Sequence, residues 1–313
     1  MLAKCWKRLL SVKLSNGTST VTYGNKYLVG KEDVAITVKG SKYMGALKDV
    51  CKIVISNLPY SEVLNIIDGK YFDVEVWAGY ENGGDRCIFS GGTLYISGDR
   101  TDTKTSETII LCGSKLLSKF SQKRINLTLN SGINLYSAAK AVAQAAGISN
   151  PNISPELRSK VLENTQVVDD TVGGWFGKLL KQNSDLVLST DDSRGNPFSL
   201  YSATRGNGRY IVLTSDLINI TGGYPQISSE GVSFSCMPTY NFSCGDTIKI
   251  DNSIIQAPVQ SQNELKSPKT FYLDKDGEYV IFEIDYTLEN RGEEFGYKIL
   301  AKSRNLFKKL RGE

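Results

Sequence analysis

A mainly β chain with a small α+β insert is the fold class that the sequence predicts, and three observations predict it. Apolar and polar residues alternate with a period of two in two separated regions, residues 33–112 and 228–302. Turn signals punctuate the first of them at short, regular intervals, as in a barrel or sandwich. Between them lies an alanine-rich stretch with helical spacing. The 313 residues suggest roughly two domains. With 40% apolar and 22% charged residues the chain can fill cores, which excludes a disordered or collagenous protein.

In the first region Val34, Ile36 and Val38 alternate with polar neighbours, as do Ile53 and Ile55, then Val74, Val76 and Ala78; Thr108–Cys112 adds an apolar run. Asn57-Leu58-Pro59, Asp68-Gly69, Glu81–Asp85 and Gly98-Asp99 separate these strands. Ser61–Ile67 fits one helical turn capped by Ser61. The middle region opens with a short strand carrying Ile125, Leu127 and Leu129. The spacing then predicts a helix over 134–147, with Leu135, Ala138, Ala139 and Val142 on one face and Gly147 as its left-handed stop. A second helix is predicted from Pro155 behind Ser154, and a third over Val172–Lys181. Strands follow at Leu186–Ser189, Phe198–Ser202 and Tyr210–Leu213. The last region predicts strands at Val232–Cys236, Thr247–Ile250, Thr270–Leu273, Tyr279–Leu288 and Gly296–Ala301, with a loop over 257–267.

Chemistry is narrowed most by the absence of histidine. A His-based triad, a His general base and a His-ligated metal cannot be built within this chain. The six cysteines (5, 51, 87, 112, 236 and 244) form no Cys-x-x-Cys and no zinc spacing, and read as reduced thiols, several buried on strands. The acidic pairs Asp169-Asp170, Asp191-Asp192 and Glu293-Glu294 sit at predicted turns or element starts. Solvated or capping roles suit them better than the spaced carboxyls of a glycosidase. Gly206-Asn207-Gly208 and Gly222-Gly223 match no phosphate-cradling pattern. There is no Gly-x-Ser-x-Gly elbow, and nothing in the spacing points to a Ser–Lys pair. The sequence therefore calls for no catalytic residue, no cofactor and no metal.

The net charge of +4 is small for this length and argues against a dedicated nucleic-acid surface. The N-terminal apolar run is too short for a signal peptide and is broken by Lys13, and no stretch approaches the roughly 18 apolar residues of a membrane span. A soluble chain made in a cytoplasm is the expectation. The basic end of the chain carries Lys302, Arg304, Lys308, Lys309 and Arg311, with Leu306, Phe307 and Leu310 at helical spacing, and is a candidate partner-docking tail.

Several ordered segments resemble phage tail hub proteins. The strand over 51–58 ends in Asn57-Leu58; the next ends in Ala78-Gly79-Tyr80; a third carries Phe89 and Gly91. A second group contains Gly223-Tyr224-Pro225, Gly231-Val232-Ser233-Phe234 and Gly245-Asp246-Thr247-Ile248. A third contains Gly277 and Tyr279 within Asp276–Val280, followed by Asn290-Arg291-Gly292. The resemblance spans roughly residues 30–302, with one departure at Tyr286, where many relatives have His.

Membership of that family implies a homotrimer at the tip of a phage tail, each subunit contributing two tail-tube-like barrels. The first would occupy residues 1–117, the central α+β insert 118–223 and the second barrel 224–301, followed by the tail 302–313. The implied role is a non-enzymatic virion hub that joins the sixfold tail tube to the threefold spike and lines the DNA passage. Its partners would be its own copies, a tube or tube-initiator protein, a spike or tip protein and a tape-measure protein, with DNA only in transit and no membrane span. Two rival functions stand beside it: a carbohydrate-binding tail adaptor, for which 16 tyrosines and 3 tryptophans could build a platform, and a cell-wall hydrolase, which the lack of histidine and of a separate catalytic module opposes.

Overall fold

Why strands dominate is visible in their burial. In β1 (Arg8–Ser15), Leu10, Val12 and Leu14 face inward, and β1 forms a hairpin with β2 (Thr20–Gly24). The same alternation repeats in β3 (Ala35–Tyr43) and β4 (Val50–Ser56). Helix α1 (Tyr60–Asp68) follows, then β5 (Asp73–Tyr80), the long β6 (Gly84–Arg100) and β7 (Ser106–Gly113). The structure is a computed structural model and describes residues 7–24, 34–45, 49–100, 106–183, 185–191, 193, 198–214, 223–228, 230–256 and 273–303.

The middle of the chain adds α2 (Lys115–Gln122), β8 (Arg124–Leu129), α3 (Leu135–Ala145), β9 (Asn152–Ile153), β10 (Gln166–Thr171), α4 (Val172–Gln182), β11 (Leu186–Ser189), β12 (Ser199–Ser202) and β13 (Tyr210–Val212). The last part supplies β14 (Gln226–Ser228), β15 (Gly231–Cys236), β16 (Thr247–Lys249), β17 (Glu278–Glu289) and β18 (Phe295–Ser303).

Thirteen strands form one sheet, with the order β14-β15-β18-β17-β3-β4-β7-β6-β5-β1-β2 and with β13 and β16 branching from β17. The join lies between β3 and β17, which run antiparallel from Glu283 opposite Tyr43 to Glu289 opposite Thr37. One hydrophobic core, from Leu10 to Ala301, lies under this sheet. A second core is confined to residues 116–200. There Phe120 stacks on Phe176 at 6.0 Å and meets Phe198 edge-on at 5.9 Å. The predicted class, mainly β with an α+β region between two β halves, is the observed one.

Local chemistry explains the helix limits. Asn134 caps α3: its side chain accepts from the Ser137 N–H at 2.8 Å. Gly147, at φ 90°, lets its own N–H reach the Gln144 carbonyl while the Ile148 N–H reaches Ala143, a Schellman stop. Replacing Asn134 with Ala is expected to lower stability by about 1 kcal/mol, read as a lower denaturant midpoint with an unchanged slope.

Three expectations are corrected. Helix α1 is longer than one turn and begins behind Pro59, whose carbonyl accepts from Glu62 and Val63; Ser61 lies inside the helix and is not its cap. The segment behind Ser154 is a single 3-10 turn, Pro155–Ser159, because the Lys160 carbonyl is taken by the Leu135 N–H. Asp169 and Asp170 end strand β10; the cap of α4 is Thr171, which accepts from the Gly174 N–H at 3.0 Å. The hairpin β1–β2 and helix α2 were not predicted. The loop 257–267, and the strand predicted over 270–273 except Leu273, lie outside the described residues.

Candidate functional site

The residues that carry the family resemblance take up turn and packing positions in both β halves. Asn57 ends β4 at φ 59°, its N–H donating to the Ser106 carbonyl at 2.7 Å, and Leu58 behind it is buried. Ala78, Gly79 and Tyr80 end β5, where a β-carbon on Gly79 would strike the Gly84 carbonyl. Tyr80 meets Phe295 edge-on at 5.5 Å, across the two halves. Phe89 is buried on β6 with Gly91 packed against its ring.

In the second half, the Pro225 carbonyl accepts from the Gln256 N–H at 2.7 Å. Gly231, at φ 141°, opens β15 against the Ala301 carbonyl. Gly245, at φ 90°, lies against the Tyr201 ring, and Gly277, at φ 69°, against the Ile250 carbonyl. Tyr279 is buried, its hydroxyl donating to Asn252 at 2.8 Å. These twelve residues shape strands and turns and are spread over the whole large sheet. Of the basic tail, Lys302 belongs to β18 and holds its ammonium 3.5 Å above the Phe282 ring; burial lowers its pKa. Arg304, Leu306, Phe307, Lys308, Lys309, Leu310 and Arg311 lie outside the described residues.

A second set of side chains, which sequence reasoning missed, converges where three parts of the chain meet. Lys42 lies on β3, Asp191 follows β11 in the middle region, and Ser243 precedes β16. The Lys42 ammonium is 2.7 Å from Asp191 and donates to Ser193 at 3.2 Å. Asp191 also accepts from the Ser193 N–H at 3.0 Å, from the Ser193 hydroxyl at 2.6 Å, and from the Ser243 hydroxyl. Lys42 and Asp191 side chains are only 4% and 11% exposed. Burial alone would raise the Asp191 pKa, but the Lys42 ammonium and the hydrogen bonds from Lys42, Ser193 and Ser243 outweigh it and hold the group at about 2.

Asp191 thus departs from the solvated or capping role expected of it. Its sequence neighbours are turn-forming residues, but Asp191 and Ser193 meet Lys42 of β3. A second buried carboxylate adjoins it. Asp246 accepts from Asn207 and from the Ser243 N–H, both at 2.9 Å, and lies 3.7 Å from Arg209.

A Ser–Lys arrangement is therefore present in space. Chemically it is a clamp. A nucleophilic serine needs a neighbouring base with a free lone pair, whereas Lys42 is an ammonium bound to an ionised carboxylate, and both serine hydroxyls donate to that same carboxylate. Among the described residues, no group of three or more Cys, Asp or Glu side chains is placed to hold a metal ion. No helix among them is long and apolar enough to cross a membrane.

No protein-family model and no curated protein sequence matches the chain. Solved structures do. The 43 kDa tail protein of prophage MuSo2 from Shewanella oneidensis aligns with a TM-score of 0.55 at 10% identity, over 95% of this chain and 97% of that one. The tail protein from Neisseria meningitidis MC58 aligns with a TM-score of 0.55 at 8% identity, over 96% and 98%. The Escherichia coli c3393 protein aligns with a TM-score of 0.51 at 10% identity, over 86% and 74%. It is described as a component of the type VI secretion system with structural similarity to the T4 bacteriophage tail proteins gp27 and gp5. The fold of this chain is the phage tail-protein fold, end to end.

Proposed function

We propose that the protein is a structural component of a phage tail, a hub at the distal end of the tube whose three copies form a ring. In this role it joins the sixfold tube to a threefold spike and surrounds the path of the DNA. It contacts tube, spike and tape-measure proteins, is assembled in the host cytoplasm, and makes or breaks no covalent bond.

The observation that carries this reading is the single large sheet. Two β halves, one from each end of the chain, are fused through β3 and β17, so one subunit presents two β units in fixed relation. Three such subunits present six, which is what a match between threefold and sixfold symmetry needs. The likeness of fold covers nearly the whole of two tail proteins as well as of this chain. The buried clamp supports the same role, since it fixes the middle region rigidly on both halves. We carry forward the division at 1–117, 118–223, 224–301 and 302–313, with β13 of the middle region paired to β16 of the second half and with β18 of the second half running on to Ser303.

Light scattering over a range of concentrations tests the ring. A mass three times 34.4 kDa is expected, and images along the symmetry axis should show six lobes. A mass of 34.4 kDa throughout would remove the self-assembling ring.

A further inference from the structure

In a ring of three copies the halves alternate: first, second, first, second. Each copy joins its own two halves through β3 and β17. The contact that closes the ring therefore sets the first half of one copy against the second half of the next. The topology identifies the two ends concerned. Residues 84–92 of β6 pair with β5, and residues 92–100 pair with β7. Past Gly92, β6 is thus the last strand of a layer that runs β14-β15-β18-β17-β3-β4-β7-β6. That layer ends at β14 in the second half and at the later part of β6 in the first.

At the β6 end, residues 95–100 pair with β7 on one side and, among the described residues, with no strand on the other. An open edge of this kind calls for cover. Helix α1 flanks it, burying Ile66 and setting Val63 against Gly98. Its other flank faces β2, where Glu62 accepts from the Tyr23 hydroxyl at 3.1 Å. Tyr60, Leu64 and Ile67 form an outward stripe at positions i, i+4 and i+7, on the β6 side of the helix. They are 76%, 38% and 44% exposed.

At the other end, Gln256 takes the outer side of β14. Its N–H donates to the Pro225 carbonyl at 2.7 Å, and its carbonyl accepts from the Ile227 N–H at 3.0 Å. Tyr224, just before β14, is 50% exposed. Leu273, 43% exposed, is held at the same end, because Asn252 donates to the Asp274 carbonyl at 2.7 Å. Neither residues 224–228 nor Gln256 is charged. An apolar stripe can therefore be seated there without burying an ion.

We infer that the α1 stripe of one copy is seated on the β14 end of the next copy's second half, with Tyr60, Leu64 and Ile67 against Tyr224 and Leu273. The contact covers the open edge of β6. It is made by side chains, because Gln256 already occupies the outer side of β14. This rests on the ring proposed above and names its surface.

Positions for the test are exposed, so folding should survive, which thermal unfolding of each variant checks. Leu64→Lys with Ile67→Lys, and separately Tyr224→Lys with Leu273→Lys, should each raise the concentration for half-assembly about tenfold or more, because each would bury charge in an apolar contact. Cross-linking with a short bismaleimide reads the geometry, with wild type as the background from native thiols. A mixture of Tyr60→Cys and Tyr224→Cys proteins should give linked dimers above that background, and neither variant alone should. If the wild type assembles while the lysine variants assemble equally well and the mixture gives no dimers, this surface is wrong and the ring stands on another. Dimers from Tyr60→Cys alone would overturn the first-to-second-half contact. A wild type that stays at 34.4 kDa overturns the ring and this contact with it.

Discussion

Replacing Asp191 with Asn is expected to destabilise the protein by about 3–5 kcal/mol, because it leaves the Lys42 ammonium buried without its countercharge. The Ser193 and Ser243 hydroxyls lose their charged acceptor at the same time. Lys42→Met should cost a similar amount by stranding the carboxylate. The double variant Lys42→Met with Asp191→Leu removes both charges and should lie within about 2 kcal/mol of the wild type, since an apolar pair of similar volume often serves as well. Denaturant unfolding of the four proteins gives the coupling energy as a double-mutant cycle. Additive single effects would show that the pair is not the clamp described above.

The pH dependence has a definite sign. The Asp191 pKa is lowered from 3.8 to about 2 in the folded protein. A depressed carboxyl contributes stability that is fully present above the unfolded value and is lost as pH falls through the folded value. The clamp should therefore weaken between about pH 5 and pH 1, by about 2 kcal/mol in all. The double variant should lose that part of the acid sensitivity. Hydrogen exchange should show the middle region opening first, because Asp191 is its tie to β3.

Local signals in the sequence account for what was legible. Alternation made β3, β4, β5 and β17 readable, and α3 could be bounded because alanine, a capping Asn134 and a left-handed Gly147 all agree. Strand β1 also alternates, but so short an apolar run near the chain start reads equally as a failed leader. Helix α2 is marked only by Leu116, Leu117 and Phe120 among Lys, Ser and Gln, and the burial of Phe120 comes from aromatic partners about 55–80 residues further on. The clamp left no trace at all. Asp191 is surrounded by turn-formers, and the residue that makes it a buried ion is Lys42, 149 positions away. The family-signature glycines stood out only through the resemblance, and their reasons, such as the Tyr201 ring over Gly245, are tertiary.

Gly40→Ala should be strongly damaging for a change of a single methyl group, with a loss of about 3 kcal/mol. Gly40 lies on β3 between Tyr286 of β17 and Cys51 of β4. Its backbone needs no left-handed angle; what it provides is space. The Tyr286 ring folds across it, so a β-carbon there would overlap the phenol and sit 2.7 Å from the Val50 carbonyl oxygen. The ring is 2% exposed and the carbonyl is held in the sheet, so neither can yield cheaply. Tyr286→Phe is the control. The Tyr286 hydroxyl faces Cys51 and has no nitrogen or oxygen partner among the described residues, so its removal should be close to neutral. The consequence reaches beyond stability, because β3 and β17 are the strands through which the two halves of the large sheet are joined. Weakening that join should separate their unfolding, so that calorimetry of Gly40→Ala shows a broadened or split transition where the wild type shows one. A single sharp transition at the wild-type temperature would mean that the β3–β17 seam has slack that its packing does not reveal, and that rigid fusion of the two halves is not what this glycine protects.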